Sequence, residues 1–214
     1  MKKLFTLALV LTSGWIQLQA QAVIYSQDFA GGIPAGWTNS GIPTAAIWTY
    51  STTGTKGGYS SGNVINSATK ANGFMLFDSD FYDEGATQGG TGTAAAPHNA
   101  SLTSAAINCT GFSTITLAFN YIENGSGTID DATLWYFDGT VWAQLSNPAK
   151  TATGCGGQGI WTAYSITLPA TANNNPNVKI GFRWVNDDDG VGSDPSFAVD
   201  DITLSTAAPV EQFT

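Results

Sequence analysis

Six of the chain's thirteen aspartates lie between Asp187 and Asp201, in the run RWVNDDDGVGSDPSFAVDDITL, with no lysine or arginine among them. Crowded carboxylates can coordinate a hard cation, share a proton, or bond to their own backbone at turns. Calcium is the cation such a run would suit, because it takes six to eight oxygens from carboxylates, amides and backbone carbonyls. An EF-hand loop does not fit. With Gly190 at the sixth loop position, Val185 falls at the first and Ser196 at the twelfth, where acids are needed. The run therefore divides. Residues 186–195 read as a turn-rich loop whose acids cap their own turns in water. Residues 197–204 read as a strand interrupted by Asp200 and Asp201. Adjacent strand residues point to opposite faces. At least one of these two carboxylates is thus expected on the packed side, where it needs a cation or several donors.

Other constellations are weaker. GYSSG, residues 58–62, matches G-x-S-x-G but lacks the preceding apolar strand and following helix of a nucleophile elbow. GCGGQG, residues 154–159, matches a dinucleotide fingerprint but runs into a strand pattern instead of a helix. One histidine, His98, and two distant cysteines do not make a zinc site of the usual local spacing. Paired carboxylates for glycoside hydrolysis depend on a separation that the sequence does not give. Beyond the N-terminal segment lie Trp37, Trp48, Trp135, Trp142, Trp161 and Trp184. Trp184 falls on an apolar strand face and reads as core. Trp135 falls on the opposite face from Leu134 and Tyr136, so one of these faces is expected to be exposed.

The elements that must position these groups follow a leader. Lys2 and Lys3, an apolar run and the small-x-small triplet Ala20 to Ala22 read as a secretory signal peptide over residues 1–22. No later run is apolar for long enough to be a membrane span, so a secreted, extracellular or cell-surface protein is expected. Removing Lys2 and Lys3 leaves five basic against sixteen acidic residues, moving the net charge from −9 to −11. Nucleic acid and anionic membranes require a basic footprint and are disfavoured; cations, basic proteins and neutral glycans are not. In an oxidising compartment, Cys109 and Cys155 are expected to form one disulfide.

Period-two alternation recurs, and helical periodicity is almost absent. Ile115, Leu117, Phe119 and Tyr121 share one face of a strand; Val178, Ile180, Phe182 and Trp184 share one face of another, alternating with Lys179, Gly181 and Arg183. Tyr164, Ile166 and Leu168 mark a third. ATLWYFDGTVWAQLS reads as a hairpin turning at Asp138–Gly139. Eight to ten strands are expected, in an all-β antiparallel two-sheet β-sandwich of jelly-roll type over residues 23–205. Long Gly/Ser/Thr/Asn-rich loops fall at 51–73, 83–99 and 147–159, and residues 206–214 read as a linker or tail.

QDFAGGIPAGWTN and VKIGFRWVNDDDGVGSDPSFAVDDITL, with GFMLFDSD and NASLTSAAINCTGFSTITLAFNY between them, resemble the cleaved-adhesin and choice-of-anchor J group. These are MAM-like jelly-roll domains of secreted bacterial proteins, gingipain adhesin domains among them. The resemblance implies first and last strands side by side, calcium near them, and binding without intrinsic catalysis. Carried over by position, it makes Asp28, Asp200 and Asp201 the candidate calcium ligands. The expected function is a secreted, non-enzymatic, adhesin-like module, calcium-stabilised, that binds glycan or extracellular protein through loops at one end of the sandwich. The alternatives are a structural accessory domain of a larger secreted peptidase or other hydrolase, and a lectin-fold enzyme acting on glycosides.

Overall fold

The computed structural model describes residues 21–42, 48–51, 74–77, 98–123, 130–152, 160–186 and 197–207. The motifs at 58–62 and 154–159, the acidic loop at 187–196, and Cys155 lie outside them. Eleven strands are described: β1 (Gln21–Gln27), β2 (Thr38–Ile42), β3 (Thr49–Ser51), β4 (Phe74–Phe77), β5 (His98–Thr103), β6 (Thr116–Glu123), β7 (Asp131–Phe137), β8 (Trp142–Ser146), β9 (Thr162–Thr167), β10 (Lys179–Asn186) and β11 (Phe197–Ala207). A 3-10 turn at Ala170–Ala172 joins β9 to β10.

The strands form two antiparallel sheets. In one, the order is β3-β4-β11-β6-β9, with β1 also paired to β11; in the other it is β2-β5-β10-β7-β8. The chain is an all-β sandwich, as the alternation requires. β11 is long enough to hold two partners on one edge. Its first residues pair with β4, from Phe197↔Phe77 to Val199↔Met75, and its later ones with β1, from Ile202↔Gln27 to Ala207↔Gln21. The first and last strands therefore do lie side by side. Their pairing reaches Gln21 and Ala207, two residues beyond each expected domain boundary.

The core lies between the inner faces. Leu117, Phe119 and Tyr121 of β6, Ile180, Phe182 and Trp184 of β10, and Leu134 and Tyr136 of β7 are all buried, so the alternating apolar set in each case faces inward. Phe119 and Phe182 meet edge to face across the two sheets at 5.1 Å, and Trp48 packs on Phe197 at 5.1 Å. Such rings each contribute about 1.5–3 kcal/mol through burial alone. β2 has no apolar alternation and was not among the expected strands. It is held by its register with β5 and by Asn39, whose side-chain amide donates to the Trp48 carbonyl and accepts from the Trp48 N–H.

The FAGGIPAGW run is a packed turn. Phe29 is fully buried at positive φ, Gly32 and Gly36 also take positive φ, and Trp37 stacks edge to face on Phe29 at 5.4 Å. The Trp37 indole donates to the Tyr25 hydroxyl, fixing the turn against β1. The hairpin expected at Asp138–Gly139 forms. Gly139 takes the positive φ, and Asp138 Oδ1 accepts from the N–H groups of Thr140 and Val141. The expected Cys109–Cys155 disulfide finds no support among the described residues, which include Cys109 but not Cys155. Among the described residues Cys109 has no disulfide partner, and it is fully enclosed in the core, where it packs as a small apolar residue. Burial raises its pKa.

Candidate functional site

Alternation leaves a polar row on the outer face of the five-stranded sheet. β10 presents Lys179, Gly181 and Arg183 outward, opposite the buried Ile180, Phe182 and Trp184. Register places Trp135 of β7 and Thr103 of β5 on either side of Gly181, and Thr133 and Ser101 on either side of Arg183. Trp135 is therefore the outward residue between buried Leu134 and Tyr136, which decides between the two faces that the hairpin sequence left open.

Trp142 of the edge strand β8 completes the site. It pairs with Phe137 in register and packs on that ring at 5.3 Å, yet its indole reaches across β7 to Gly181. A Cβ on Gly181 would lie 3.1 Å from Trp142 Cζ3 and 3.2 Å from Thr103 Cγ2. Glycine is thus what lets the indole approach the β10 backbone this closely. The result is a depression of about 320 Å³ whose lining includes Ser101, Thr103, Trp135, Trp142, Gly181 and Arg183. Trp142 remains 40% exposed and Val141 beside it 59%.

The cations of this face are fixed by aromatic rings. Arg183 lies over Trp135 at 5.9 Å and Lys179 over Phe137 at 5.5 Å. The Arg183 Nε–H donates to Asn99 Oδ1 at 2.7 Å, and the Trp135 indole donates to Thr133 Oγ1 at 2.8 Å. Two indoles, two hydroxyls and an oriented guanidinium are equipped for stacking and directional hydrogen bonding.

The residues expected to hold calcium lie elsewhere. Between Asp200 and Thr203 the β11–β6 register slips, and Asp201 takes φ +52°. This is a β-bulge with its first residue left-handed, a conformation aspartate tolerates better than most residues. The bulge changes the expected geometry. Val199 and Ile202 face the core; Asp200, in register with Asn120, belongs to the other face but is only 1% exposed, and Asp201 is exposed. Asp200 Oδ1 accepts the Asp201 N–H at 2.7 Å, and Asp201 Oδ2 accepts from the Asn120 amide at 2.8 Å.

Asp28 and Asp201 line one depression of about 380 Å³, with Ser26, Gln27, Ile202 and Thr203; Asp200 is not among its lining residues. The donors are all oxygens, which is calcium chemistry, but some are engaged. Gln27 Oε1 accepts the Phe29 N–H, and Asp28 Oδ1 accepts the Ala30 N–H. Two carboxylates are well short of six oxygens. Among the described residues, no group of three or more acidic, histidine or cysteine side chains is arranged to hold a metal.

A third polar cluster was not foreseen. Lys150 Nζ donates to Glu123 Oε1 at 2.8 Å, to Asp131 Oδ1 at 2.9 Å and to the Asp130 carbonyl, and sits 5.4 Å from the Trp184 ring. Glu123 is fully buried, and burial raises its pKa to about 7 against the opposing pull of Lys150. Here an ammonium occupies the centre of the acidic groups, which suits a structural tie between β6, β7 and the segment after β8.

The fold has solved counterparts. It is shared with the K1 cleaved-adhesin domain of Lys-gingipain from Porphyromonas gingivalis W83. That likeness has a TM-score of 0.52 at 16% identity and covers 86% of this chain and 98% of that one. The carbohydrate-binding module TmCBM61, solved with β-1,4-galactotriose, is similar at TM-score 0.48 and 14% identity, covering 83% of this chain and 93% of that one. The CBM22-1 xylan-binding domain of Paenibacillus barcinonensis Xyn10C is similar at TM-score 0.43 and 10% identity, covering 90% and 100%. No protein-family model matches the chain, and no curated protein matches it by sequence. The family resemblance read from the sequence is thus met at the level of fold.

Proposed function

We propose that the protein is a secreted, non-enzymatic binding module that takes a glycan on the outer face of its five-stranded sheet. The observation that carries this reading is the indole of Trp142 laid over Gly181 beside Trp135. A flat apolar surface rimmed by Ser101, Thr103 and Arg183 matches the alternating apolar and hydroxylated faces of a pyranose ring. The sheet face replaces the end loops as the proposed contact surface. The loops at 52–73 and 78–97 lie outside the described residues. A fold that an adhesin domain also adopts supports the reading. Among the described residues, no helix is long and apolar enough to cross a membrane. The test is isothermal titration of the protein with a panel of oligosaccharides. Binding that Trp142→Ala weakens at least about tenfold supports the proposal; a panel that binds nowhere, or binds regardless of Trp142, defeats it.

Calcium is the second part of the proposal. Asp28 and Asp201 would supply its carboxylates, with Asp200 holding the bulge that presents Asp201. Bound calcium would tie β1 to β11 at the point where β11 changes partner. A cation that binds only the folded state raises the melting temperature by mass action. The expected result is a higher midpoint in excess Ca²⁺ than in EDTA, abolished by Asp201→Asn. Equal midpoints, with no metal in elemental analysis, would end this part.

A further inference from the structure

The glycan proposed for this face is one that carries carboxylates: we infer that Arg183 and Lys179, standing at either end of the Trp142–Gly181 platform, select uronic-acid saccharides over neutral ones. The inference rests on the glycan reading above and adds the ligand's charge.

Local charge runs against the chain's balance. The protein carries net charge −9, yet two of the three described cations stand on this one face. The third, Lys150, is paired with Glu123 and Asp131. No carboxylate of the described residues pairs with Lys179 or Arg183; each is seated on an aromatic ring instead. Asp131, the acid of β7 nearest to Arg183 in register, is already bound by Lys150 and by the Asn147 amide. Charges separated by more than a Debye length are largely screened at physiological salt, so acids farther than that from Lys179 and Arg183 do little to cancel this patch.

Arg183 is set up for a carboxylate in particular. Asn99 takes its Nε–H, and its Cζ stands over the Trp135 ring. Among the described residues nothing takes its terminal N–H groups, and these form the edge that receives a carboxylate in two parallel bonds. A neutral hydroxyl cannot use that fork fully. Lys179 lies four residues along the same strand, about 13 Å away at the usual rise. A short oligosaccharide stacked on Trp142 spans that distance, with one acid group reaching each cation.

The experiment is titration of the protein with trisaccharides of galacturonic, glucuronic, mannuronic and guluronic acid. Each is paired with its methyl ester, and a sulfated galactose trisaccharide serves as a second anion. At least one uronate should bind about tenfold more tightly than its ester, and added salt should narrow the difference. Arg183→Gln should bring the acid-to-ester ratio close to one, and Lys179→Gln should lower it in part; unchanged melting temperatures would show that both variants fold. Esters that bind as well as acids in the wild type would overturn this inference while leaving the glycan reading standing. Tighter binding of the sulfated sugar than of any uronate would overturn the carboxylate assignment. Failure of every saccharide to bind would remove the glycan reading and this inference together.

Discussion

Trp142 rests on Gly181. The two belong to strands separated by β7, and the indole crosses that strand to close over the only position on β10 without a side chain in its way. Gly181→Ala should therefore lift the indole by a few tenths of an ångström and strain Thr103 as well. The expected cost in stability is about 1 kcal/mol, with weakened saccharide binding and a changed tryptophan emission. Unchanged emission and binding in the alanine variant would show that the ring does not depend on the glycine.

The two faces of β10 should respond differently to truncation. Phe182 is fully buried and meets Phe119 across the sandwich, so Phe182→Ala should cost about 3–5 kcal/mol. Trp142 is 40% exposed and near the sheet edge, so Trp142→Ala should leave stability within about 1 kcal/mol. Urea denaturation of both variants measures the contrast; equal losses would refute the assignment of inner and outer faces.

Glu123 predicts a pH dependence with a definite sign. Its carboxyl is raised from 4.5 to about 7 by burial, so in the window between those values the folded protein holds a proton that the unfolded chain has released. The contribution of this group to stability is then complete below pH 4.5 and is lost as pH rises to about 7. Melting temperature should fall across that window, and Glu123→Gln should flatten the fall while keeping an acceptor for Lys150 and the Ala132 N–H. An identical slope in the variant would place the titration elsewhere.

The bulge at Asp201 separates a backbone role from a carboxylate role. At φ +52°, Asp201→Gly should be tolerated with little loss. Asp201→Val, β-branched and in the left-handed region, should destabilise the protein by on the order of 1–3 kcal/mol. Equal melting temperatures for the two variants would argue against the bulge.

Those same residues show what the sequence did and did not reveal. The alternating runs of β6, β7, β9 and β10 were legible because each buries one face, and period two then names both faces at once. Lys179, Gly181 and Arg183 were visible as the outward half of that pattern. What joined them to Trp142 was not, since a side chain leaning across β7 is a tertiary contact with no local signature. β2 was missed because TNSGI lacks an apolar stripe; register with β5 and the Asn39 amide hold it. Asp200 and Asp201 were read by strict alternation, which a single left-handed residue defeats. Lys150 gave no signal, since its acidic partners come from β6 and β7, well before it in the chain.

Ligand is expected to meet the sheet face at Trp142 and Trp135. The most direct measurement is an NMR titration of the indole N–H resonances with an oligosaccharide that binds. Shifts of Trp142 and Trp135, with Trp48 and Trp184 of the core nearly unmoved, are the predicted result. Binding that leaves both outer-face indoles unperturbed would contradict it.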